Sequence, residues 1–152
     1  MAFFLWTAAH DRILTLDNLM LRGHTLANQC CMCCDKKSVD HLLHCLVTHT
    51  LWTFMLQGFG IHWVMPESVA GLFSCWHQWL GKHNSNIWNL VLGCLMWIVW
   101  FEPNRHSFED IKKTLDEIKV LCQRSLFEWS RCWGFTDYCS LSKFMSSLRL
   151  VS

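Results

Sequence analysis

The chain has 152 residues, 52% hydrophobic and 16% charged, with 13 Lys plus Arg against 12 Asp plus Glu. A chain this apolar and of this length must bury a core, which excludes disorder outside the ends. A formal charge of +1 excludes the strongly basic class of nucleic-acid binder, so any such role must rest on a local patch or on a partner.

Strand signals are nearly absent, and helical spacing recurs along the chain. The opening "MAFFLWTAAHDR" has neither the positive n-region nor the cleavage pattern of a secretory signal. The ten cysteines therefore read as reduced thiols, and an intracellular setting, nuclear or cytoplasmic, fits better than secretion. A first amphipathic stretch covers residues 3–10. Thr15 then caps a short helix carrying Leu16, Leu19 and Met20, which Gly23 ends.

A cysteine-rich knuckle at residues 29–37 follows, with Ser38 placed to cap the next helix, residues 39–57. Along that helix Val39, Leu42, Leu43, Leu46, Val47, Leu51, Phe54 and Met55 form one apolar stripe, and Gly58 closes it. Pro66 suits the first turn of another helix. Val69, Leu72, Phe73, Trp76, Trp79 and Leu80 repeat along it at three- and four-residue steps, and Gly81 stops it.

Asn84, Ser85 and Asn86 cap an apolar helix that begins at Ile87 and is expected to end near Pro103. Its stretch at 87–101 contains Asn89 and falls short of the ~20 apolar residues that a membrane span needs, so it reads as a buried central helix. Ser107 is placed to cap a long final helix with Ile111, Leu115, Ile118, Cys122, Leu126 or Phe127, Trp129 and Trp133 on its buried face. Gly134 terminates it, and residues 135–152 form a Ser-rich, loosely attached tail. The expected fold is all-α: an irregular helical domain at 3–134 with a small Cys3His zinc knuckle near its N-terminal third.

The stretch "NQCCMCCDKKSVDHLLHC" (28–45) gathers five of the ten cysteines and two of the nine histidines. Zinc takes four tetrahedral ligands, and thiolates with an imidazole make a closed, structural site. A Cys-x-x-Cys turn supplies two thiolates, here as Cys30 with Cys33 or as Cys31 with Cys34, and spacing leaves both registers open. His41 and Cys45 lie four apart on the helix capped by Ser38 and share a face. Projection at 100° per residue gathers His41, Cys45, His49 and Trp52 on the side opposite the apolar stripe. Taken singly these residues would be small hydrophobes and solvated histidines; taken together their spacing is that of a metal site. A thioredoxin-like redox pair would need a βαβ setting, which is missing.

These motifs resemble the zinc-binding domain near the C-terminal end of reverse transcriptases from plant non-LTR retrotransposons. The resemblance is carried by "FFLWTAAHDRILTLDNLMLRG", by "CCMCCDKKSVDHLLHC" followed by "LW", and by "IWNLVLGCLMWIVWFEPNRHSFED". It runs from Phe3 to about Gly134. It implies a zinc ion held by Cys30, Cys33, His41 and Cys45, which selects between the two registers. Two departures stand out. The family has one more residue between histidine and last cysteine, so His44 or His49 enters as an alternative ligand. Its Glu-Arg-Asn reads Glu102-Pro103-Asn104 here, as in a diverged copy.

Polymerase chemistry needs clustered aspartates holding two metal ions. Here Asp11, Asp17, Asp35, Asp40, Asp110, Asp116 and Asp137 are dispersed, so no polymerase or nuclease activity is expected. The resemblance implies a non-catalytic, zinc-stabilised domain derived from a retrotransposon polyprotein. RNA or DNA is its expected partner, approached through Lys36 and Lys37 at the knuckle; the alternative reading of these lysines is that they merely offset the charge of the zinc site or are solvated. The alternatives are a protein-protein scaffold docking on a reverse transcriptase or on another copy of itself, and a diverged retroelement fragment without function. No small-molecule substrate is implied, and membrane association through residues 87–101 ranks lowest. The tryptophans Trp76, Trp79, Trp97, Trp100, Trp129 and Trp133 repeat at helical steps and are assigned to the core rather than to base stacking.

Overall fold

Apolar side chains occur on every side of residues 87–99, and a helix with no polar face must lie at the centre of its domain. The computed structural model, which describes residues 6–8, 10, 12, 21–23, 41–79, 85–109 and 113–148, shows that arrangement. In chain order the helices are α1 (His41–His44), α2 (Leu46–Gly58), α3 (Val69–Trp79), α4 (Ser85–Glu109), α5 (Leu115–Cys132) and α6 (Leu141–Leu148). No strand occurs among the described residues.

The α4 helix is the axis of the packing. Ile87, Trp88, Leu90, Val91, Leu92, Cys94, Leu95, Met96, Ile98 and Val99 are all buried along it, and α1, α2 and α5 pack against it. None of the described helices is long and apolar enough to cross a membrane. The expected stop at Pro103 is not observed: α4 continues to Glu109. Proline lacks the N–H that would reach the carbonyl of Val99. The helix carries that loss because Ile98, Val99 and Glu102 are anchored in the interior just before it.

The last long helix therefore starts later than Ser107, at Leu115. Thr114 caps it: its hydroxyl accepts from the Glu117 amide, and the Glu117 carboxylate accepts from the Thr114 amide at 2.7 Å. This reciprocal pair is a capping box, and its Thr-x-x-Glu pattern stands in the sequence as "TLDE". Ile118, Cys122, Leu126 and Phe127 form the buried face of α5, much as the periodicity predicts. Trp133 does not join them; it is 64% exposed.

Two helices end alike. Gly60 and Gly134 adopt φ of +72° and +69°. In each case the glycine amide donates to the carbonyl three residues back, and the next amide donates five residues back (Ile61 to Leu56, Phe135 to Ser130). These are Schellman turns, in which a left-handed residue satisfies the helix's last carbonyls. Gly134 is the terminator expected, whereas α2 is closed by Gly60, two residues beyond Gly58.

Part of the Ser-rich tail is packed rather than loose. Phe144 and Leu148 of α6 are buried in the same core, and the Phe144 ring lies 5.3 Å from that of Phe127 on α5. An aromatic node joins α2, α3 and α4. Trp76 stacks on Trp88 at 4.2 Å and 5°, Trp52 meets Trp76 edge-on at 6.2 Å, and Phe59 meets Trp88 edge-on at 5.5 Å. Such contacts add about 0.5–1.5 kcal/mol each beyond the area they bury. Core packing is thus the role of Trp76, while Trp97, Trp100 and Trp129 are half-buried against the core.

Candidate metal centre

Cys45 separates α1 from α2. Its backbone is extended (φ −57°, ψ 137°), so helical phase is broken there and restarts at Leu46. Cys45 becomes the N-cap residue of α2, with its carbonyl accepting from the His49 amide at 2.7 Å. Its thiol makes no cap hydrogen bond and the residue is 2% exposed. A thiolate at this place meets the positive end of the α2 dipole, and its surroundings keep water away.

The break corrects the expected helical projection. One continuous helix would place Trp52 with His49 on the outer side and Leu46 in the stripe. In the structure Trp52 is 0% exposed and Leu46 is 77% exposed, while Leu42, Leu43, Leu51 and Met55 hold the core positions. An extended residue adds length without the 100° turn, so α2 is rotated relative to α1 and the outward and inward faces exchange at Leu46 and Trp52. The Trp52 indole N–H donates to the Leu42 carbonyl at 3.3 Å and locks the two helices together across the bend.

The alternative imidazoles are placed as follows. His44 Nε2 donates to the Glu67 carbonyl at 3.0 Å, tying the end of α1 to the segment ahead of α3. That bond occupies one ring nitrogen. His49 is exposed one turn into α2 and lines a groove of about 200 Å³ with His62, Trp63, Val64 and Met65. Sequence reading missed this groove, because His62 joins it from an extended segment with no periodic signal.

Cys30 and Cys33, with the rival pair Cys31 and Cys34, lie outside the described residues, as do Lys36 and Lys37; of His41 only the backbone is described, within α1. Among the described residues no group of three or more His, Cys, Asp or Glu side chains is arranged to hold a metal ion. The chemistry of Cys45 suits zinc: a buried soft donor at a helix start, one turn after His41.

Residues 1–52 match the family described as zinc-binding in reverse transcriptase. That match spans the Cys-x-x-Cys turn, His41 and Cys45, and stops at Trp52, the residue whose indole closes the bend. This third of the chain is similar to the zinc-binding segment of reverse transcriptases, as its motifs lead one to expect. The wider resemblance, through Trp-rich α4 to Gly134, lies beyond the matched residues. The family concerns a zinc-binding accessory segment, not a polymerase domain. No curated protein and no solved structure matches the chain.

A second buried thiol pair lies far along the chain from this segment. Cys94 on α4 donates to the Cys122 carbonyl on α5 at 3.6 Å, and both residues are fully buried. Burial first, and then the Glu102 charge, pushes the Cys122 thiol up to about 12; burial and the neighbouring Cys122 push Cys94 higher still. Thiols held protonated in this way act as small hydrophobes, not as ligands or nucleophiles.

Proposed function

We propose that the chain is a non-catalytic, zinc-stabilised domain derived from a retrotransposon polyprotein, and that it contacts RNA or DNA through the knuckle. The family match over residues 1–52 carries this reading. One zinc ion would be held by Cys30, Cys33, His41 and Cys45. Bound there, zinc supplies a covalent-strength clamp between the cysteine turn and the start of α2.

Three features of this chain support that ligand set. Cys45 is buried where α1 meets α2, and the Trp52–Leu42 hydrogen bond holds the two helices together across it. His41 lies four residues before Cys45, at the position where the resemblance places the imidazole ligand, while His44 Nε2 donates to the Glu67 carbonyl and ties α1 to the segment ahead of α3. Lys36 and Lys37 sit beside a site whose three thiolates leave a net charge of about −1, so they both offset that charge and offer cations to a phosphate backbone. The non-catalytic reading rests on the dispersal of the aspartates along the sequence, with no adjacent Asp-Asp pair of the sort a two-metal phosphoryl-transfer centre uses.

Native mass spectrometry of the purified chain, with and without chelator, tests the metal. One zinc per chain, lost in Cys45→Ser and His41→Ala and retained in His44→Ala and His49→Ala, is the expected pattern. Retention in the His41 and Cys45 variants would remove the assignment. Binding of a labelled oligonucleotide that collapses as salt is raised, and weakens when Lys36 and Lys37 become alanine, tests the partner.

A further inference from the structure

We propose that the turn joining α5 to α6 is a stacking surface for unpaired bases, a second nucleic-acid contact remote in sequence from the knuckle. The inference rests on the nucleic-acid part of the preceding reading and deepens it. Helix-forming periodicity assigns Trp133 to the core, yet the structure leaves it 64% exposed, and Tyr138 on the same turn is 43% exposed.

The indole is presented on a rigid base. Trp133 is the C-cap of α5, and its amide donates to the Trp129 carbonyl at 3.0 Å. The Schellman turn at Gly134 follows at once, with the Phe135 amide donating to Ser130 at 2.8 Å. Phe135, half-buried against the core, braces the indole at a ring separation of 6.2 Å. An aromatic side chain held at the surface in this way loses little freedom when a base stacks on it.

The surroundings favour nucleic acid over another protein. Between residues 131 and 143 the exposed side chains include Arg131, Trp133, Asp137, Tyr138 and Lys143, and not one exposed aliphatic. A protein-docking face needs a continuous apolar centre; two aromatics set among cations and hydroxyls suit bases and phosphates. Arg131 lies over the Phe127 ring at 5.7 Å, which keeps its guanidinium at this end of α5. Arg124, seven residues earlier, is exposed on the same face. Glu128 stands between Arg124 and Arg131 on that face, and Asp137 and Lys143 are the exposed charges beyond the turn.

Fluorescence anisotropy with short labelled oligothymidylate and oligouridylate decides the matter, using the full chain and its Trp133→Ala/Tyr138→Ala, Trp133→Phe, Arg131→Ala and Lys36→Ala/Lys37→Ala variants. The double aromatic variant should bind both oligonucleotides about tenfold or more weakly with an unchanged salt slope, as expected for lost stacking. Trp133→Phe should recover most of the affinity, and Arg131→Ala should reduce the salt slope. Equal binding by the wild type and the double aromatic variant, with loss only in the lysine variant, would overturn this inference and leave the knuckle reading standing. Absence of binding by the wild type would overturn both. Self-association of the wild type in sedimentation, abolished by Trp133→Ala, would make the turn a contact between copies and overturn the stacking assignment.

Discussion

Lys113 Nζ lies 2.6 Å from Glu102 Oε1, joining the residue before the α5 cap to an interior position of α4. Glu102 is 7% exposed, so its carboxylate has left water and depends on this partner. Removing one member of such a pair leaves an uncompensated charge inside the protein. Lys113→Met should lower the stability to urea by about 3 kcal/mol. Adding Glu102→Gln to that variant should recover most of the loss. Additive losses in the double variant would show that the two groups do not act on each other.

The capping box at Thr114 has an acid dependence of known sign. Backbone and hydroxyl hydrogen bonds from Thr114 hold the fully exposed Glu117 carboxyl below its usual range. A depressed carboxyl pKa contributes stability at pH above the unfolded value, and this contribution is lost as pH falls through the folded one. Fraying of α5 at its first turn, followed by amide exchange at Glu117 and Ile118, should therefore rise in acid. Thr114→Ala should cost about 1 kcal/mol and only weaken that pH dependence, because the backbone amide bond to the carboxylate survives, whereas Glu117→Gln should remove it.

Pro103 sits inside α4, not at its end. An interior proline forfeits a hydrogen bond and crowds the preceding turn at a cost of about 3 kcal/mol, offset in part by the restriction it places on the unfolded chain. Pro103→Ala should raise the thermal midpoint, with a gain of about 2 kcal/mol. An unchanged or lowered midpoint would place the end of the helix at that residue after all.

Phe144 tests the attachment of α6. Its ring is completely buried against Phe127, and truncation of such a side chain costs about 3–5 kcal/mol. Phe144→Ala, or deletion of the residues after Gly134, should give a comparable loss in denaturant midpoint. A loosely attached tail would show almost none.

Cys94 and Cys122 set an alkaline limit. Both thiols have folded pKa values raised above the ordinary 9.0. The unfolded chain ionises there while the folded one does not, so stability present below pH 9 is lost as pH climbs towards the folded values. The thermal midpoint should fall above that pH, and Cys94→Ala/Cys122→Ala should flatten the decline. Exposed Cys75, Cys132 and Cys139 should react quickly with a thiol reagent, whereas Cys94 and Cys122 react only at the rate of unfolding.

The helical class and the central place of α4 could be read from the chain because both follow from short-range rules. Residues 87–99 lack a polar face, and the sites at Gly134 and Ile118 obey turn chemistry and periodicity. Tertiary forces overrode the remainder. Burial of Ile98 and Val99 carries α4 through a residue that, taken alone, breaks helices. Ser107 is the expected cap of the last long helix, but Thr114 takes that place, with a glutamate three residues on to answer it. Trp133 fits the α5 repeat, but the period loses meaning where the chain turns out of the helix. At the candidate metal centre, residue types and spacing singled out Cys45. One extended ψ angle there, invisible to a helical projection, exchanged the exposures expected for Leu46 and Trp52.

The pairing of α4 with α5 and of α5 with α6 joins helices that follow one another in the chain. Only brief connections have to close before these surfaces meet, so the search for the native arrangement is short, on the order of microseconds to milliseconds for helical domains of such local wiring. The C-terminal half can thus assemble as soon as it is synthesised, ahead of any step paced by the capture of an ion at the other end of the chain.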